Sequence, residues 1–117
     1  MGTCRVWRVN NDGTGATKLS NKLNTGATTA CGTSESLYVY SLAAGGPTTA
    51  NGSQVIYGGT DDGKIFVTTN ADGGAATWVD RTGTTNAKGY VVSKVAIDTT
   101  DATGQTAYMT IMGFTGG

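Results

Sequence analysis

Histidine is absent from this chain, proline occurs once, at Pro47, and cysteine only twice, at Cys4 and Cys31. Without imidazole, a zinc site would need two thiolates plus carboxylates, which is a poor donor set for that ion. No metal or other cofactor is therefore expected. Excess charge of one sign is also missing: eight basic residues balance eight acidic ones over 117 residues. With no net field, neither nucleic acid nor an anionic membrane surface is an expected partner. No apolar run approaches the roughly 20 residues of a membrane span. The N-terminus also lacks the basic and apolar regions of a signal peptide, so an exported parent would have lost that signal or had it replaced by Met1. The apolar fraction, 38%, lies below the roughly 45–50% of an average domain, which predicts one domain with a thin core.

Glycine is plentiful, 19 of 117 residues, threonine is comparably abundant, and strong helix formers are scarce. That mixture favours short strands joined by tight turns. A thin core gains from a cross-link, and two cysteines in an extracellular-looking composition are expected to pair, Cys4 with Cys31.

Residues 4–9 (CRVWRV) alternate as a strand, with Cys4, Val6 and Arg8 on one face and Arg5, Trp7 and Val9 on the other. Asn10, Asn11, Asp12 and Gly13 form a turn signal, and residues 16–19 return as a second strand. Residues 64–80 (KIFVTTNADGGAATWVD) show the same design. A gap-free shift of sixty positions places Asn10 on Asn70, Asp12 on Asp72, Gly13 on Gly73 and Thr17 on Thr77, with Val6 on Phe66, Trp7 on Val67 and Leu19 on Val79. This is an internal repeat. Residues 20–34 read as a surface loop. Residues 37–44 (LYVYSLAA) are nearly continuously apolar, as in a strand covered on both faces. Residues 45–53 read as a connection carrying Pro47 and the Asn51-Gly52-Ser53 sequon. Residues 54–60 form the next strand, and Asp61-Asp62-Gly63 turns it into the 64–80 hairpin. Residues 90–98 then resemble the 37–45 strand, and residues 105–113 match the strand at Gln54, with Tyr108 on Tyr57. Numbering the strands of one four-stranded meander first to fourth, the chain holds a third and fourth (3–19), a full set (36–80), and a first and second (90–113).

A four-stranded meander repeating every 50–60 residues, with an Asp/Gly hairpin between its third and fourth strands, resembles the Asp-box (bacterial neuraminidase repeat) β-propellers. The family's box runs Ser/Thr, any, Asp, any, Gly, any, Thr, Trp. Asp72, Gly74, Thr77 and Trp78 stand for its Asp, Gly, Thr and Trp, with one extra residue before the Thr and Asn70 in place of the leading hydroxyl residue. In the earlier copy Asp12 and Thr17 remain, while Thr14 replaces the Gly and Lys18 the Trp. The blocks SLAAGGPT, VIYGGT, KIFVTTNADGG and TWVDRTG look like blades of large exported bacterial proteins of this class. The resemblance covers nearly the whole chain and implies an all-β propeller segment from a secreted or cell-surface parent. It also implies a structural box: the Asp carboxylate accepts hydrogen bonds from its own turn, and the Trp packs between sheets.

Some Asp-box propellers are glycosidases, which work with paired carboxylates. Glu35, Asp61, Asp62, Asp98 and Asp101 are the candidates, but each falls in a turn or strand end where Asp serves local capping. A sialidase-type arginine cluster is not evident, since Arg5 and Arg8 share one hairpin and Arg81 stands alone. Oxygen-rich turns at Asp61-Asp62 and Asn10-Asp12 would suit calcium, yet both are explained without it. Among the aromatics, most occupy strand positions that favour burial. Trp7, whose repeat partner is the smaller Val67, is the candidate for stacking on a ligand.

Eight strands amount to two blades, whereas a propeller has about four to eight, and repeat units bury their apolar faces on neighbours. The expectation is a homo-oligomer of three or four copies, or completion by the remainder of a larger propeller. The expected function is a non-catalytic structural or binding module that contacts a glycan or a protein through loops 20–34 and 45–53. The alternative is a fragment of a glycoside hydrolase-type propeller.

Overall fold

The computed structural model describes residues 3–32, 37–84 and 86–113, so Glu35 and residues 114–117 lie outside the described residues. All regular structure within them is antiparallel β. Strands β1 (Trp7–Val9) and β2 (Ala16–Lys18) form one hairpin. Strands β3 (Val39–Thr49), β4 (Gly52–Thr60), β5 (Ile65–Thr68) and β6 (Val79–Asp80) form a four-stranded meander in sequence order. Strands β7 (Val92–Ile97) and β8 (Ala107–Ile111) form a second hairpin.

Period-two alternation divides the central sheet between two cores. Phe66 points to one face and joins buried Val6, Leu19, Leu23, Val39 and Ala71, with Ile56, Ala76 and Trp78 packed around them. Ile65, its neighbour on β5, points to the other face and joins Val92 and Val95, with Ala43, Tyr57 and Ala107 beside them. The β1–β2 hairpin thus covers one face of the central sheet and the β7–β8 hairpin the other. Each fully buried aliphatic or aromatic side chain contributes roughly 1.5–3 kcal/mol, and the cores are small, as the low apolar content implies.

Three expectations need correction. Residues 45–53 are a continuation of the β3–β4 ribbon, closed by Ala50 and Asn51 between Thr49 and Gly52. Pairing shifts between Gly45↔Val55 and Thr48↔Ser53, so Gly46 and Pro47 together oppose Gln54. Gly46 has φ +70°, and a Cβ there would stand 2.8 Å from both the Thr103 carbonyl oxygen and Val55 Cγ2. This is a β-bulge, a site that tolerates proline because the extra residue lies outside the ladder. Nor is the 37–44 run covered on both faces. Val39 is buried, but Tyr40 and Leu42 are largely exposed, because β3 is the edge of its sheet and the short β1–β2 hairpin does not reach over them.

The repeat itself is displaced from the gap-free sixty-residue shift. The Leu19 N–H donates to the Val6 carbonyl (2.9 Å), as Arg81 N–H does to Ile65 (2.7 Å). The Ser20 hydroxyl accepts from Val6 N–H (2.8 Å), as the Thr82 hydroxyl does from Ile65 N–H (3.0 Å). Val6 is therefore the counterpart of Ile65, Trp7 of Phe66, Arg8 of Val67 and Val9 of Thr68. The later hairpin carries its extra length in the turn. A one-residue slip exchanges the faces of a strand, so this correction decides which way each β1 side chain points.

Candidate functional site

The chemistry-bearing residues gather at the turns. Asp12 Oδ1 accepts from Thr14 N–H (2.9 Å) and from the Thr14 hydroxyl (2.7 Å). Asp80 and Thr82 repeat this at 2.8 and 2.6 Å, and Asp98 and Thr100 at 2.8 and 2.7 Å. Asp101 takes Thr103 in the same way, with Thr106 N–H donating to its second oxygen at 2.9 Å. The sequence reason is the Asp-x-Thr spacing, which lets one carboxylate close an Asx turn through both donors of the threonine.

These bonds hold the carboxyl groups of Asp12, Asp80 and Asp98 below their ordinary range, the threonine hydroxyl being the first cause and its amide the second. Asp101 is lowered from 3.8 to about 2, first by the Thr103 hydroxyl, then by Thr106 and the Thr103 amide. A carboxyl depressed in the folded state stabilises the fold above its unfolded value, and that contribution is lost as pH falls through the folded value. The protection of the Thr103 and Thr106 amides, taken relative to intrinsic exchange at each pH, is accordingly expected to hold above pH 3.8 and to fall as pH drops from there towards about 2. An Asp101 carboxyl that titrates at 3.8 by NMR would refute this account.

The Asp72 box is arranged differently. Asp72 Oδ2 accepts from the Gln54 side chain at 3.2 Å, tying the hairpin to β4. The bond that closes the hairpin is made by Asn70, whose Oδ1 accepts from Thr77 N–H (2.8 Å) and from the Thr68 hydroxyl (2.8 Å). Gly74 and Thr77 are exposed. Trp78 packs on the first core and donates its indole N–H to the Leu19 carbonyl at 2.8 Å. It therefore joins the central sheet to the β1–β2 hairpin. Thr17 faces Arg8 across that hairpin. Trp78→Phe keeps the ring and removes the donor, and a loss of about 1 kcal/mol is expected in urea unfolding.

Both N-terminal arginines are engaged by backbone carbonyls. Buried Arg5 donates to Thr28 and Thr29 of the long loop, which the Cys4–Cys31 disulfide also fastens, with a Cα–Cα distance of 5.9 Å. Arg8 Nη1 donates to the carbonyls of Asn51, Ala71 and Asp72, each at 3.2 Å. One guanidinium on β1 thereby joins the tips of two other turns, a role that spacing along the sequence does not reveal. Beside it lies an open groove of about 620 Å³, bordered by Trp7, residues 9–12 and residues 50–53. Trp7, 46% exposed, and Asn51, whose carbonyl accepts from Arg8, both line it.

The four candidate acids among the described residues are each taken up by hydrogen bonds. Asp61 accepts from Tyr38 N–H at 2.8 Å and Asp62 from the Thr60 hydroxyl, while Asp98 and Asp101 serve their own turns. Among the described residues, no group of three His, Cys, Asp or Glu side chains could hold a metal ion, and no helix is long and apolar enough to cross a membrane. Neither a protein-family model, nor a curated protein, nor a solved structure matches the chain.

Proposed function

We propose that this protein is a non-catalytic structural module built from Asp-box propeller-type blades, which works by assembling with copies of itself. One observation carries the reading. A complete four-stranded meander is clasped between two half-sheets on its opposite faces, in the order third–fourth, first–fourth, first–second. Successive blades of a propeller stack in this face-to-face manner. The carboxylates support it, because each described Asp accepts a hydrogen bond within its own turn, from a side chain or, for Asp61, from the Tyr38 amide. The disulfide suits an exported parent.

The test is the mass in solution by multi-angle light scattering across a concentration series, together with a chromogenic glycosidase panel. Assembled species of three or four copies and no turnover are expected. A monomer whose unfolding is independent of concentration, or turnover that disappears in Asp98→Asn or Asp101→Asn, would overturn the reading.

A further inference from the structure

We propose that β8 of one copy pairs antiparallel with β1 of a second copy, in the register by which β4 pairs with β5 inside this chain. The inference rests on the self-assembly reading above and names its joint. The internal template is fixed by pairing: Ile56↔Thr68, Tyr57↔Val67 and Gly58↔Phe66. Strand β8 stands where β4 stands, because Ala96↔Tyr108 and Val95↔Met109 repeat Ala43↔Tyr57 and Leu42↔Gly58. Strand β1 stands where β5 stands, with Trp7 for Phe66 and Val9 for Thr68, as the hydrogen bonds from Leu19 and to Ser20 establish. Carried across, the template sets Met109 opposite Trp7 of the second copy, Ala107 opposite its Val9, and Tyr108 opposite its Arg8.

This register accounts for exposure that the single chain leaves unexplained. Trp7 is 46% exposed, Val9 67%, Met109 39% and Val79 42%. In the composite sheet the first three form one apolar row on the face that already carries Val95 and Ala107. That row runs on over the β5–β6 half of the central sheet, towards Val67 and the exposed Val79 paired with it, beyond the contact that Ile65 makes with β7. On the other face, exposed Tyr108 comes to lie against the exposed Leu42 and Tyr40 of the second copy's β3. Such cross-strand apolar contacts are the unit of sheet stabilisation, and the pairing removes two open edges. The chain cannot make this joint with itself, because its own β1 and β8 lie on opposite faces of the central sheet.

The second copy is therefore the occupant, and cysteine cross-linking tests it. Trp7→Cys and Met109→Cys chains, purified separately with the native disulfide intact, are mixed and oxidised. Directly opposed residues have Cβ atoms about 5 Å apart, so a covalent heterodimer is expected. None is expected when Met109→Cys is replaced by Thr110→Cys, whose side chain points to the other face. In a second arm, Trp7→Lys or Met109→Glu alone is expected to convert the assembly to monomers with unchanged far-ultraviolet dichroism, and mixing the two to restore it. If the unmodified chain assembles but Trp7 and Met109 neither cross-link nor rescue one another, this joint is wrong while self-assembly stands. If the unmodified chain is monomeric at every concentration, self-assembly and the joint both fall, and the open edges belong to a different chain.

Discussion

Replacing Phe66 by alanine is expected to lower stability by about 3–5 kcal/mol, the usual range for emptying a buried aromatic site. Phe66 is 8% exposed and sits among Val6, Leu19, Leu23 and Val39, the residues through which the β1–β2 hairpin holds the central sheet. A cavity there cannot collapse readily, because its walls come from two separate sheets. The loss should be visible as a lower urea midpoint with little change in slope. It should also be local: amides of Leu19 and Leu23 should exchange faster, while those of β7 and β8, packed on the opposite face, should be affected much less. The matched control is Lys88→Ala, on an exposed loop position outside the β8–β1 joint, expected to stay within about 0.5 kcal/mol. A Phe66→Ala variant as stable as that control would mean that the first core does not hold the hairpin.

Reduction of Cys4–Cys31, or Cys31→Ser, is expected to cost about 3–4 kcal/mol in the chain-entropy account, for a bridge spanning 27 positions. Much of the enclosed segment has no strand partner: beyond β1 and β2 it is held by the bridge, by Arg5 on the Thr28 and Thr29 carbonyls, and by Leu23 N–H on the Cys4 carbonyl. Thermal unfolding with and without reductant measures the effect. A reduced protein that melts at the same temperature would show that Arg5 and the core alone keep the loop in place.

The strands were legible because alternation is a local property. CRVWRV, QVIYGGT, KIFVTT and YVVSKVAID each mark a strand, and the 2-4-2 grouping follows from the turn residues between them. The repeat was legible too, but its register was not. Asn70, Asp72 and Gly73 invited an alignment on the turn, whereas the strand equivalence is set by backbone bonds at Val6 and Ile65, on either side of turns of unequal length. In the same way, Gly45, Gly46 and Pro47 resemble a connection in one dimension. Opposed only by Gln54 and Val55, they are a bulge within a ribbon.

Asp-x-Thr turns were readable as capping chemistry, because donor and acceptor lie two residues apart. Arg8 was not, since its three acceptors lie 43, 63 and 64 residues away. The partner of Asp72 was missed for the same reason: Gln54 is distant in sequence and adjacent only across the sheet.

By itself, then, the sequence determined an all-β chain of short strands and local turns with one disulfide to expect, because these depend on residue type and on spacing over a few positions. Only the tertiary structure decided which face each strand presents and which apolar side chains stay uncovered. A strand's face turns on a single residue of register, and register is settled by bonds between segments that the sequence does not place side by side.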